Sequence, residues 1–143
     1  TACQSLHSWV ARRLSIAAMQ QQYPEFEPTP SAQAFEQGTY VEERWQKYLS
    51  NSSEWPHMAP FIKAASENPI LRGLFPFFAM QRLRFSRCIG FPYVYSDVPQ
   101  VRATAENCFL VERTNGSPLG QGDVQLALEI LLKHTPPDIG PAV

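Results

Sequence analysis

The sequence predicts an α+β fold: N-terminal helices, a small antiparallel sheet of about three to four strands, and one C-terminal helix. Three observations carry that reading. Up to about residue 67, apolar residues recur every three or four positions, the spacing of helices with one buried stripe. From Met80 the period drops to two, as in a strand with one core face. After Asp123 a helical apolar pattern returns and runs to Leu132. Helices, strands and a helix in separate blocks, without β–α alternation, make an α+β chain. At 143 residues it is read as a single domain, 1–143, with a mainly helical half (1–67) and a sheet-plus-helix half (68–143).

The elements follow in order. Leu6, Trp9, Val10, Arg13, Leu14, Ala17 and Ala18 predict a helix over 3–22, stopped by Pro24. Residues 24–38, with Pro24, Pro28 and Pro30, form a connecting loop, with Phe26 over the core and one helical turn within 31–36. Thr39 and Glu42 read as a capping box for a helix to residue 50, with Tyr40, Val41, Arg44, Trp45, Tyr48 and Leu49 as its buried stripe. A further helix covers about 54–67. Pro60 either kinks it or splits it into a turn and a helix beginning at Pro60, and Asn68-Pro69 ends it.

The alternation from Met80 to Ile89 puts Met80, Arg82, Arg84, Ser86 and Cys88 on one face and Gln81, Leu83, Phe85, Arg87 and Ile89 on the other. Tyr93-Val94-Tyr95 is a short strand or extended arm, and Ser96–Pro99 a turn. Residues 100–105 are extended, and 107–113 form a strand with Cys108, Leu110 and Glu112 opposing Phe109, Val111 and Arg113. Asn115-Gly116 is a type I′ hairpin signal. Leu119 lies on the returning strand, Asp123 caps the last helix, Pro136-Pro137 stops it, and the tail to Val143 frays.

Composition narrows the function classes. The chain is 44% apolar and 17% charged with a formal charge of −1, so no global field favours nucleic acid. It contains no run of 18 apolar residues and no basic-then-apolar leader, so neither a membrane span nor a secretory signal is expected, and a cytoplasmic location is. Cys3, Cys88 and Cys108 are widely spaced, and Cys88 and Cys108, each in a strand-like run, read as buried reduced thiols. With no Cys/His cluster, no metal is expected. No phosphate-binding glycine loop is present, and no cofactor is expected.

The chemistry concentrates in residues 71–93, where four arginines and five phenylalanines fall within 23 positions. Arg82, Arg84 and Ser86 share one strand face, spaced roughly 6.5–7 Å apart. Two guanidiniums at that spacing can hold a carboxylate or phosphate. Arg72 precedes the strand, Arg87 lies on its other face, and Phe75, Tyr93 and Tyr95 supply aromatic walls. The competing reading is a solvated sheet face, or arginines neutralised by Glu42, Glu43 and Glu67. His57 at a helix start and Glu67 are the acid–base candidates. His7 reads as solvated, and His134 as suited to a helix C-terminus.

The runs Leu71-Arg72-Gly73-Leu74-Phe75-Pro76-Phe77, Leu83-Arg84-Phe85-Ser86-Arg87 and Pro92-Tyr93 resemble a bacterial family of small natural-product-biosynthesis proteins of unknown function. The stretch Asn115–Asp123 resembles that family's C-terminal half, so the likeness spans roughly residues 68–134. The family is similar to the proteins that close the lysinoalanine bridge of cinnamycin-like lanthipeptides. The resemblance implies addition of a lysine amine to a dehydroalanine of the same modified precursor peptide, without a cofactor and largely substrate-assisted, with the peptide's hydroxyaspartate helping as base. Catalytic roles then fall to Arg84, Tyr93, Glu67 and His57, and substrate binding to Arg72, Phe75, Arg82, Ser86, Arg87 and Tyr95. The alternative is a non-catalytic peptide-binding or immunity-type module using the same face. An apolar-plus-arginine sheet face on a small domain also points to a homodimer.

Overall fold

A computed structural model describes residues 15–25, 27–29, 32–33, 37–89 and 92–143. Its contacts divide into two units, Thr1–Tyr40 and Val41–Val143. In the first, helix α1 spans Ile16–Gln22, where Ser15 caps it by accepting from the Ala18 N–H. The earlier part of the expected 3–22 helix, Phe26 and most of the turn at 31–36 lie outside the described residues.

The second unit carries the α+β architecture. Helix α2 (Tyr40–Ser50) leads through a 3₁₀ turn at Ser52–Glu54 to α3 (Ala59–Glu67) and the single turn α4 (Pro69–Arg72). Pro60 splits the expected 54–67 helix, because a proline is tolerated only in the first turn, where α3 places it. Asn68 ends α3 and starts α4, its side chain accepting from the Ile70 and Leu71 N–H groups.

The sheet has five strands, β1 (Phe75–Ala79), β2 (Arg82–Ser86), β3 (Gln100–Ala105), β4 (Cys108–Glu112) and β5 (Pro118–Gly122), in sequential antiparallel order. That exceeds the expected three to four because β1 was hidden. Phe75-Pro76-Phe77-Phe78-Ala79 does not alternate between polar and apolar residues, since neither of its faces is exposed over Phe75–Phe77. Met80 and Gln81 are consequently a hairpin turn and not strand residues. Both take positive φ, 52° and 62°, as a type I′ turn demands. Neither is Gly, Asn or Asp, so each costs roughly 1–2 kcal/mol of backbone strain. At the 113–117 hairpin only Gly116 has positive φ (91°). Gly116 N–H donates to Arg113 C=O and Arg113 N–H to Ser117 C=O. The loop therefore has three residues and ends in a left-handed glycine, in place of the expected type I′ turn.

Helix α5 (Val124–Lys133), capped by Asp123, packs on β4, β5 and α3. The approach to β5 needs glycine: a Cβ on Gly122 would lie 2.9 Å from Leu126 Cβ. The core forms between the helices and one sheet face. Trp45, Phe61, Leu83, Phe85, Val101, Phe109, Val111 and Leu131 are fully buried there. Trp45 also donates through its indole N–H to Leu74 C=O at 3.1 Å, fixing α2 to the approach of β1.

The C-terminal tail is not frayed. Val143 N–H donates to Arg87 C=O, Ile89 N–H to Val143 C=O, and Ala142 N–H to Gly73 C=O, so its backbone is bonded beside the end of β2. Cys88 and Cys108 are reduced but half-exposed, not buried as expected, and Cys108 Sγ accepts from the Gln121 side chain.

Candidate functional site

Alternation along five antiparallel strands gives the sheet a second, polar face. Phe77 pairs with Arg84, and Ala79 with Arg82. The β2–β3 register, Leu83 opposite Val101, sets Arg84 across from Gln100 and Arg82 across from Arg102. Gln100 in turn pairs with Glu112. Three arginines therefore share a face with one carboxylate, and two of them, Arg82 and Arg102, reach it.

Their bonding is uneven. Glu112, 3% exposed, accepts on Oε1 from Arg82 Nε at 2.5 Å and Gln100 Nε2 at 2.9 Å, and Arg102 Nε forms a looser ion pair with it at 3.8 Å. Burial raises its pKa, but the hydrogen bonds from Arg82 and Gln100 and the charges of Arg82 and Arg102 outweigh this and hold it below 4.5. Arg82 also donates through Nη1 to Met80 C=O at 3.1 Å, linking the carboxylate to the β1–β2 turn. Arg84 makes no ion pair among the described residues. Its guanidinium lies 5.1 Å from the centre of the Tyr95 ring, and its Nε is buried without a hydrogen-bond partner. The Nε of Arg102 and the Oε1 of Gln100 are likewise buried without hydrogen-bond partners.

The aromatic wall lies next to Arg84. Tyr93 packs on Phe77 at 4.6 Å and on Phe75 at 5.5 Å, and Tyr95 meets Phe77 edge-on. Ser86 holds this arm in place. Its hydroxyl accepts from the Val94 and Cys88 N–H groups and donates to Cys88 C=O, so this fully buried side chain is committed to the backbone. Arg87 is paired with Asp97 at 2.6 Å.

Beyond the arginines, toward the tip of the β1–β2 hairpin, lies a groove of about 380 Å³. Trp55, His57, Phe78, Met80, Arg82 and Arg102 line it, with the exposed Glu54 at its edge. Trp55 and Phe78 are stacked, their centroids 4.0 Å apart and their planes nearly parallel at 2°, and Tyr48 meets both edge-on. These rings form a rigid apolar wall beside two cations.

The expected site residues thus separate into groups. Arg82, Arg84, Phe75, Tyr93 and Tyr95 share the polar face, and His57 joins Arg82 at the groove. Arg72 instead pairs with Glu42, whose pKa is lowered chiefly by that hydrogen bond and also by Gln46. Glu67 is exposed at the end of α3. Sequence reasoning missed Arg102, Gln100, Glu112 and Trp55 as site members. The period-two run 107–113 already placed Glu112 on one face with Cys108 and Leu110, but only strand order brings it to Arg82.

Among the described residues no group of three His, Cys, Asp or Glu is placed to hold a metal ion, and no described helix is long and apolar enough to cross a membrane. The model of a family of unknown function, DUF6193, matches residues 39–143, and the chain belongs to that family. No curated protein and no solved structure matches it.

Proposed function

We propose that this member of a family of unknown function binds a modified precursor peptide across the polar face of its sheet, and that the bound peptide closes a lysinoalanine bridge there. One observation carries the binding: Arg82 and Arg102 stand beside a single carboxylate, and Arg84 shares their face with no ion pair among the described residues. The excess positive charge of this face suits an acidic group on the peptide. The finer assignment, to natural-product biosynthesis, rests on the resemblance of residues 71–93 and 115–123.

The reaction is an aza-Michael addition. The lysine amine lone pair forms a bond to the dehydroalanine Cβ while the C=C pair moves toward the carbonyl as an enolate. The ammonium proton leaves to a base and a proton returns to Cα, so the mass is unchanged. A free lysine has a pKa of about 10.4 and must first be deprotonated. The peptide's own hydroxyaspartate, held by Arg84 and Arg102, serves as that base, with His57 the protein group nearest the same role. A guanidinium beside the carbonyl stabilises the enolate. Holding amine and alkene together supplies much of the rate. Neither a metal nor an organic cofactor takes part in this scheme.

The second reading, a non-catalytic peptide-binding module, is favoured by one feature. Glu112, the carboxylate within the cluster, is already bound by Arg82, so the cluster offers donors and no free base. Co-expression with a dehydrated, hydroxylated cinnamycin-like precursor separates the two. Bridge closure removes the dehydroalanine's reactivity toward thiols and suppresses fragmentation inside the ring in tandem mass spectrometry. Thiol-resistant peptide with wild type, but not with Arg84→Ala, is expected. Thiol-reactive peptide that still co-purifies with wild type would leave the binding module as the function. The same reading takes the chain as a cytoplasmic homodimer gripping the peptide, and a monomeric mass by light scattering at micromolar concentration would remove that part.

A further inference from the structure

We infer that the groove at the Met80–Gln81 turn is a specificity pocket for one large apolar side chain whose neighbouring acidic residue lies on Arg82 and Arg102, with the strained turn as its lip. The inference rests on the peptide-binding reading above and names the peptide sequence that reading leaves open.

Three independent features meet at this groove. The first is shape and polarity. The stacked Trp55–Phe78 pair, braced by Tyr48, gives a flat apolar wall that cannot collapse. A volume of about 380 Å³ lies at the small end of ligand pockets. It suits a side chain and not a cofactor.

The second is charge. Arg82 and Arg102 line the same groove with side chains 30% and 38% exposed. Glu112 takes the Nε of Arg82 and the Met80 carbonyl its Nη1, while Glu112 lies farther from Arg102, so the Nη2 of Arg82 and the outer nitrogens of Arg102 face a ligand carboxylate. A peptide with an acidic residue beside a bulky apolar one satisfies both walls at once. An acidic residue beside a small polar one satisfies only one of them.

The third is the turn. Met80 and Gln81 hold positive φ without the glycine or asparagine that the conformation favours. Met80 is 81% exposed, the most exposed large apolar side chain described apart from Val143, and it stands at the groove. Its carbonyl is held by Arg82 Nη1 at 3.1 Å. Asn-Gly would make the same turn with less strain but would leave the groove without an apolar lip. Strain retained at a binding surface, where a relaxed sequence exists, marks a side chain kept for its contact. Methionine suits that role, being flexible and polarisable.

The test uses the whole chain and three capped dipeptides at millimolar concentration: acetyl-Phe-Asp-amide, acetyl-Phe-Asn-amide and acetyl-Ser-Asp-amide. Binding is followed by amide chemical shifts of residues 55, 57, 58, 80–82 and 102. The first probe is expected to bind roughly tenfold more tightly than either of the others. Met80→Asn/Gln81→Gly is expected to melt at a higher temperature than wild type and to bind acetyl-Phe-Asp-amide roughly tenfold more weakly. Met80→Ala, which keeps the turn, should weaken binding without the gain in melting temperature. If wild type binds acetyl-Phe-Asp-amide but the Asn-Gly variant binds it equally well, the lip is refuted and the peptide-binding reading stands. If all three probes bind wild type equally, the pocket has no such specificity. If acetyl-Phe-Asp-amide shifts none of these amides, the peptide-binding reading fails at this groove and the inference fails with it.

Discussion

The two faces of the sheet obey different physics. On one, Leu83, Phe85, Val101, Phe109 and Val111 are fully buried under the helices, and stability comes from apolar area removed from water. On the other, the same strands carry Arg82, Arg84, Gln100, Arg102 and Glu112, and polar groups are buried without all of them being satisfied. A core face is optimised for folding alone. A face that leaves Arg84 Nε, Arg102 Nε and Gln100 Oε1 without partners keeps a reserve of hydrogen-bonding capacity that folding does not use. That difference separates the scaffold from the candidate site.

The largest effects are expected on the core face. Trp45→Ala or Phe109→Ala should lower unfolding free energy by roughly 3–5 kcal/mol in urea titration, since each leaves a large cavity and Trp45 also loses its bond to Leu74. A loss below about 1 kcal/mol would mean that the helices do not pack on that face as described.

Glu112→Ala should cost less, about 2–4 kcal/mol, because it strands Arg82 and Gln100 but Arg82 retains access to water. The same group gives the comparison a pH axis. Its folded-state pKa is depressed, so its contribution is present above the unfolded value of about 4.5 and disappears as pH falls through the lower folded value. Wild type should therefore lose melting temperature on acidification below about pH 4.5, and Glu112→Gln should lose less. Parallel curves for the two proteins would remove Glu112 from the account.

The smallest effect is expected at the Arg72–Glu42 pair. Glu42 is over half exposed, so Arg72→Ala should change stability by at most about 1 kcal/mol and leave peptide binding intact. A binding defect there would move the site off the polar face.

Much of the fold was legible because period and punctuation agree: alternation in residues 82–86 and 108–112, Asp123 as a cap, Asn68-Pro69 as a stop, Pro60 as a break. What hid from the sequence was the first hairpin. Phe75–Phe77 is buried whichever way its side chains point, so it shows no alternation, and Met80-Gln81 carries no turn signal. The site was half legible for a related reason. Arg82 and Arg84 on one face follow from strand period alone, whereas their meeting with Gln100, Arg102 and Glu112 depends on strand order and register. Ser86 follows from the same strand period, but its bonding does not: its hydroxyl is taken by the backbone at Cys88 and Val94.

The most direct test is calorimetric titration of a hydroxylated, dehydrated cinnamycin-like precursor into wild type and into Arg84→Ala/Arg102→Ala, with melting temperatures measured alongside. The account predicts at least a tenfold loss of affinity with the melting temperature within a few degrees of wild type, because neither arginine holds the fold together. Equal affinity in the two proteins would contradict it and leave the polar face a structural feature with no ligand.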